Sequence, residues 1–282
     1  MAFLAKVSKA LTIAGSDCGG GAGIQADLKT FQELGAYGMS VITAVTAQNT
    51  LGVQGVYPME AAAVIRQLDS IGEDLTPDAI KTGMLFSAEI IQAVSAKVKQ
   101  YGWKNLVIDP VMVAKGGSSL LQQEAIQSLI KHLIPLALVT TPNIPEAELL
   151  TRMPIRTLHD REEAAKRIIQ MGSQYVVIKG GHDTGKDGII DLVYDGGHFA
   201  YMESKRIDTQ HTHGTGCTYS AAVTAELASG KTVDEAVRTA KGFIQAAIED
   251  QLSIGGGHGP TNHFAYQRRM RGAATGPQRF LQ

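Results

Sequence analysis

Cysteine is scarce in this chain: two residues of 282, Cys18 and Cys217, far apart and neither in a Cys-x-x-Cys pair. That scarcity argues against a disulfide scaffold and fits free thiols in a reducing cytoplasm. Positive charge is not in excess, with 26 Lys and Arg against 27 Asp and Glu, so no nucleic-acid partner is expected. The one basic cluster, QRRMRG at 267–272, falls in a polar stretch that reads as a solvated end. No apolar run approaches the ~20 residues of a membrane span, and no membrane partner is expected. The first residues, MAFLAKVSKALTIAG, lack a small-residue cleavage pattern and read as the first core strand. Internal repeats and Ser/Pro linkers are missing too. One domain over 1–266 is therefore expected, with a flexible tail over 267–282.

What the chain has is alternation. Short apolar runs at 10–15, 39–47, 78–84, 105–112, 138–143 and 175–181 are apolar on both faces, as strands between two helical layers should be. Segments with helical period lie between them. In IQADLKTFQELG, for example, Ile24, Leu28, Phe31 and Leu34 recur about once per turn and Gly35 supplies a stop. The pattern predicts an α/β fold: a mostly parallel central sheet with helices on both faces. At IIDLVYDGGHFAYMESKRI, two strand-like runs flank Asp195-Gly196-Gly197 and predict an antiparallel hairpin.

In such a sheet ligands bind where strands end and helices begin. The first such junction, GSDCGGGAGIQAD at 15–27, is glycine-rich but has no Gly-x-Gly-x-x-Gly spacing and no Gly-Lys-Ser/Thr. It is either a flexible turn or a wall that backbone and ligand approach closely. GGHDTGKD at 180–187 resembles a P-loop but has Asp187 where a hydroxyl is needed, and a strand is expected after it. Asp109 ends one strand. Asn143 and Glu146 stand one turn apart after another, where capping is one explanation and hard oxygen ligands for Mg²⁺ another. Lys179 ends a buried strand, facing either a salt-bridge partner or a phosphate.

The last junction is HTHGTGCTYSAA. Thr212, Gly214, Thr215 and Gly216 precede an Ala-rich helix, so unpaired N–H groups and the positive helix end converge there as an anion site. Cys217 sits at the joint, either as an inert packed thiol or as a thiol whose pKa the helix end lowers. A lowered pKa would let it accept a proton from a substrate hydroxyl while the N–H groups hold a transferring phosphoryl.

Taken together these blocks resemble the ribokinase-like superfamily, whose Gly-x-Gly-Asp anion hole carries a catalytic aspartate where Cys217 stands here. That departure is similar to the vitamin-kinase branch of hydroxymethylpyrimidine/phosphomethylpyrimidine kinases and cysteine-bearing pyridoxal kinases. ALTIAGSDCGGGAGIQADLKTFQELGAYGMSVITAVTAQN, KTGML, VIDPVMVAKGG, TPNIPEAE, IKGGH, THGTGCTYSAA and GHGPTNHF carry the likeness, in order, over about residues 9 to 266. The resemblance implies an ATP- and Mg²⁺-dependent kinase of a hydroxymethylpyrimidine and its monophosphate, with pyridoxal kinase as the alternative. It implies Cys217 as base, the N–H groups of Gly214, Thr215, Gly216 and Cys217 as anion hole, and Lys179, Thr212 and Asn143 on ATP. Asp109 and Glu146 would serve the metal. The pyrimidine would lie against Gly15, Asp27, Gln48, Met84 and Val111, with the Gln48 amide matching an aminopyrimidine edge by two parallel hydrogen bonds. Relatives are commonly dimers, which implies a homodimer.

Overall fold

Alternate residues of the central strands serve two different cores. In the computed structural model, which describes residues 7–112, 123–183 and 188–274, Leu11 and Ile13 point into one apolar cluster while Ala10 points into the other. Ile80 and Ala79 divide likewise, as do Leu106 and Ile108 against Val107, and Val176 and Ile178 against Val177. This period-2 division is why the runs read as apolar on both faces.

The strands are β1 (Lys9–Asp17), β2 (Tyr37–Asn49), β3 (Gly52–Pro58), β4 (Ala79–Thr82), β5 (Leu106–Ile108), β6 (Val139–Thr140), β7 (Tyr175–Ile178), β8 (Ile189–Tyr194) and β9 (Phe199–Ser204). They form one sheet in the order β3-β2-β1-β4-β5-β6-β7-β8-β9. The six from β2 to β7 in that order are parallel, whereas β3, β8 and β9 add antiparallel edges. Helices α2 (Ala61–Asp74), α3 (Ala88–Gln100), α4 (Gln123–Ser128), α5 (Ile144–Thr151) and α6 (Leu158–Gln170) cover one face. Helices α1 (Gly23–Glu33), α7 (Thr215–Ala228) and α8 (Val233–Glu249) cover the other, and α9 (Ala265–Ala274) packs on α8. Each fully buried Leu or Ile, such as Leu68 or Ile91, contributes roughly 1.5–3 kcal/mol of transfer free energy.

Three departures from the sequence pattern stand out. Strand β3 was not foreseen: GVQGVYP is glycine-interrupted and mostly solvated, as an edge strand tolerates. The stretches at 105–112 and 138–143 are strand only over 106–108 and 139–140, because Pro110 and Pro142 cannot donate to a ladder and release the chain into loops. Finally, the segment expected as tail from 267 is helical in α9 as far as Ala274. It is tied down by Arg269, which donates to Glu249 and Asp250 at 2.5 and 2.7 Å. Residues 1–6, residues 113–122 with the VAKGG end of the VIDPVMVAKGG block, residues 184–187 of the P-loop-like stretch and residues 275–282 lie outside the described residues.

Candidate active site

The released strand ends build the site. The carboxyl ends of β1, β4, β5, β6 and β7 open into a cleft of about 730 Å³ that also takes in the start of α7. Of the predicted residues it gathers Gly15, Gln48, Met84, Val111, Asp109, Asn143, Glu146, Lys179, Thr212, Gly214, Thr215, Gly216 and Cys217. Asp27 is the exception. Its carboxylate is fully buried beneath the floor, accepting from Lys81 Nζ at 2.8 Å and Thr12 Oγ1 at 2.6 Å. It does not line the cleft, and its second oxygen, Oδ1, has no hydrogen-bond partner among the described residues. Burial raises its pKa, against the pull of Lys81 and Thr12.

The anion site depends on glycine. Gly214 sits at φ +81°, and a β-carbon there would overlap the carbonyl oxygen of Gly21 in the first glycine-rich loop. Thr215 N–H reaches Thr212 O at 3.3 Å and Thr218 N–H closes the turn on Gly214 O at 2.9 Å. Between them the N–H groups of Gly216 and Cys217 belong to the first turn of α7, where an α-helix offers no internal acceptor. Under Gly216 lies the charged end: a β-carbon there would stand 3.4 Å from Lys179 Nζ and 3.7 Å from Asp109 Oδ2.

Lys179 Nζ donates to Asp109 Oδ1 at 2.8 Å, so the salt bridge and the ligand-facing lysine are one arrangement. Burial disfavours the ammonium, but the Asp109 and Glu146 carboxylates outweigh it and hold its pKa above the usual lysine value. Asn143 and Glu146 likewise serve two purposes. They form a reciprocal capping box on α5, with Glu146 N–H to Asn143 Oδ1 at 2.9 Å and Asn143 N–H to Glu146 Oε2 at 2.8 Å. Both still line the cleft.

Burial pushes the Glu146 carboxyl up to about 7; Lys179 pulls it down and the Asp109 charge pushes it further up. A divalent cation would relieve this crowding of carboxylates. Among the described residues no group of three or more His, Cys, Asp or Glu forms a protein cage for a metal. Two carboxylates beside an open cleft instead suit an ion shared with phosphate oxygens and water.

Cys217 departs from its expected state. Helix position alone favours a lowered pKa. Here burial dominates and pushes the thiol up to about 11, with Lys81 and the Gly23 N–H pulling down and Asp27 and Asp109 pushing up. The resting side chain is a thiol, half-buried at the cleft. Lys81 itself went unnoticed in the sequence; it sits within the fully buried strand AIKT. Burial works against its charge, and Asp27, Cys217 and Asp109 outweigh it to raise its pKa.

The opposite wall was also missed. Asp17 accepts from the N–H groups of Gly19, Gly21 and Ala22 at 2.8, 3.1 and 2.9 Å, a side-chain-capped turn of the kind Asp makes before glycine. It also pairs with His213 Nε2 at 2.9 Å. His213 Nε2 lies 3.3 Å from Gln48 Nε2, and Thr46 Oγ1 lies 3.1 Å from Gln48 Oε1. On the far side the cleft is lined by Ile189, Ile207, Ile244 and Ile248.

The phosphomethylpyrimidine kinase family profile matches residues 17–262. Hydroxymethylpyrimidine/phosphomethylpyrimidine kinase of Bacillus subtilis (strain 168) is 54% identical over 262 residues, covering 93% of this chain and 97% of that protein. An ADP complex of Bacillus subtilis pyridoxal kinase superposes with a TM-score of 0.86 at 46% identity, over 93% of this chain and 99% of the other. Phosphomethylpyrimidine kinase from Clostridium difficile 630 gives a TM-score of 0.77 at 45% identity, over 86% and 99%. By the profile match over most of its length and the identity to these relatives, the chain belongs to the phosphomethylpyrimidine kinase family.

Proposed function

We propose that this chain is an ATP-dependent kinase that phosphorylates 4-amino-5-hydroxymethyl-2-methylpyrimidine and then its monophosphate, as in thiamin synthesis. One observation carries this assignment: a thiol, a helix N-terminus and the Lys179–Asp109 pair converge on a single cleft. Within the Gly214–Cys217 turn, the N–H groups of Gly216 and Cys217 would hold the transferring phosphoryl and Lys179 would neutralise its oxygens, with Thr212 and Asn143 contacting the ATP phosphates. Asp109 and Glu146 would hold Mg²⁺, which supplies charge neutralisation on the phosphates when bound. The ring would lie against Gly15, Gln48, Met84 and Val111. Met84 Cε stands where a β-carbon at Gly15 would be, 2.5 Å away, so Gly15 is what lets Met84 close the slot. A homodimer is proposed too, supported by the exposed apolar side chains Val45, Leu51 and Tyr57 on β2, β3 and the turn between them. The free thiols of Cys18 and Cys217 support a reducing, cytoplasmic setting.

Cys217 would take the proton of the substrate hydroxymethyl group as a thiolate. With a thiol near 11, the thiolate fraction grows about tenfold per pH unit below that value. The first transfer should therefore accelerate with pH between 7 and 9. The second, whose acceptor is already a phosphate anion, should stay nearly flat. Cys217→Ala should depress the first transfer more than the second, and equal loss in both would remove Cys217 from the role of base.

Pyridoxal kinase is the second reading, favoured by the likeness to the Bacillus subtilis enzyme. Offering hydroxymethylpyrimidine, its monophosphate and pyridoxal separately with ATP and Mg²⁺, and weighing the products, decides between them. Diphosphate formed from the monophosphate supports the proposal; turnover of pyridoxal alone overturns it.

A further inference from the structure

We infer that His213, fixed by Asp17, sets the direction in which the Gln48 amide faces the cleft, and through it the direction in which a bound aminopyrimidine lies. This rests on the proposed substrate. Asp17 already accepts from three loop N–H groups, and these hold it as a carboxylate, which can only accept. His213 Nε2, 2.9 Å from Asp17 Oδ2, must therefore carry the proton and donate. A nitrogen that donates to Asp17 cannot also accept from the amide NH₂ 3.3 Å away.

The other end of the amide makes the same demand. Thr46 has one hydroxyl hydrogen, and Ser16 O at 3.0 Å claims it, so Thr46 Oγ1 has only lone pairs left for Gln48. Both neighbours are satisfied at once when the amide oxygen faces His213 and the NH₂ faces Thr46. Oxygen and nitrogen of a side-chain amide are told apart by such partners.

Gln48 then has one lone pair and one N–H left for the cleft, in a fixed order: acceptor on the His213 side, donor on the Thr46 side. In the aminopyrimidine ring the hydroxymethyl, amino and ring-nitrogen positions follow one another. Pairing amino to oxygen and ring nitrogen to NH₂ carries the hydroxymethyl group past His213, toward Gly214 and Cys217. With the amide reversed, the same two hydrogen bonds would point that group away from the anion hole. His213 is thus a positioning residue, one peptide before the hole it serves.

Two measurements test this. ¹⁵N NMR of the ligand-free protein should show a proton on His213 Nε2; a bare Nε2 overturns the inference whatever the variants do. His213→Gln keeps an N–H donor at nearly the same place, whereas His213→Leu has none. With hydroxymethylpyrimidine, His213→Leu should lose about tenfold or more in single-turnover rate with ATP while its calorimetric Kd moves within about threefold. His213→Gln should stay within about threefold of the parent in both. Overturning results are a Leu variant that turns over like the parent, or a Gln variant as impaired as Leu. If the parent itself leaves hydroxymethylpyrimidine unphosphorylated, the proposed substrate fails, and the Nε2 proton still decides the hydrogen-bond order.

Discussion

Two lysine–aspartate pairs flank the candidate base, each 2.8 Å long. Lys81 and Asp27 are both fully buried, and Thr12 also donates to Asp27. Lys179 and Asp109 face the cleft, with 13% of the lysine side chain exposed. The same chemistry therefore serves two ends. The buried pair, although Lys81 borders the cleft, is closed to solvent and acts there through structure and field. An open pair can release its ammonium to an arriving phosphate, since both lone-pair-rich anions compete for the same donors. Equal distance thus says nothing about role; access does.

Removing one charge from the sealed pair should have the largest effect. Lys81→Met strands Asp27 in the interior, where a broken buried pair costs about 3–5 kcal/mol, and urea unfolding should show it. Replacing both residues by apolar ones should recover most of that stability, so an unrecovered double variant would mean that the pair contributes more than its own neutralisation. Lys179→Met also leaves a buried carboxylate, but one that borders the cleft on the side the lysine vacates, so it should cost less in the same experiment, roughly 1–3 kcal/mol. The transfer rate should nevertheless fall by about 10²-fold, as when a charge-stabilising donor is deleted. Comparable stability losses in the two variants would erase the distinction.

A smaller and pH-dependent effect sharpens it at Glu146. Its pKa is raised from 4.5 to about 7, so the fold prefers the neutral acid. Stability from this group is complete below pH 4.5 and is lost as pH climbs to about 7. Without nucleotide or metal, the parent should lose of order 1–3 kcal/mol relative to Glu146→Gln across that window, at 1.36 kcal/mol per unit. A constant difference between the two would mean that Glu146 is ionised throughout.

The open pair was easier to see in the sequence than the sealed one. Asp109 and Lys179 stand at strand ends, where an apolar run stops and a polar residue breaks the pattern. Lys81 is inside its run, and nothing local tells a lysine at a strand centre from one that snorkels out. Asp27 enters as a ring contact only through the family resemblance, and it faces inward from the second turn of α1. The parallel strands were legible because each feeds two cores. Strand β3 was not, since an edge strand needs little apolar area and its sequence shows little. Helix α9 was missed because Arg269 is held by charges on the α8 terminus, which carry no periodic signal. Helix position alone also misjudged Cys217, because desolvation is a property of the assembled cleft rather than of the GTGC stretch.

The interlocked glycine loops have a consequence for synthesis. Asp17 and His213 are 196 residues apart along the chain, and the loops meet where Gly214 leaves no room for a side chain against Gly21. His213 is further clasped by the backbone at Gly259 and Thr261. A chain emerging from the ribosome can pair β1 with β2 early, but it has no anion hole until its last quarter arrives. The phosphoryl site is thus a late product of folding, and partly made chains remain catalytically silent.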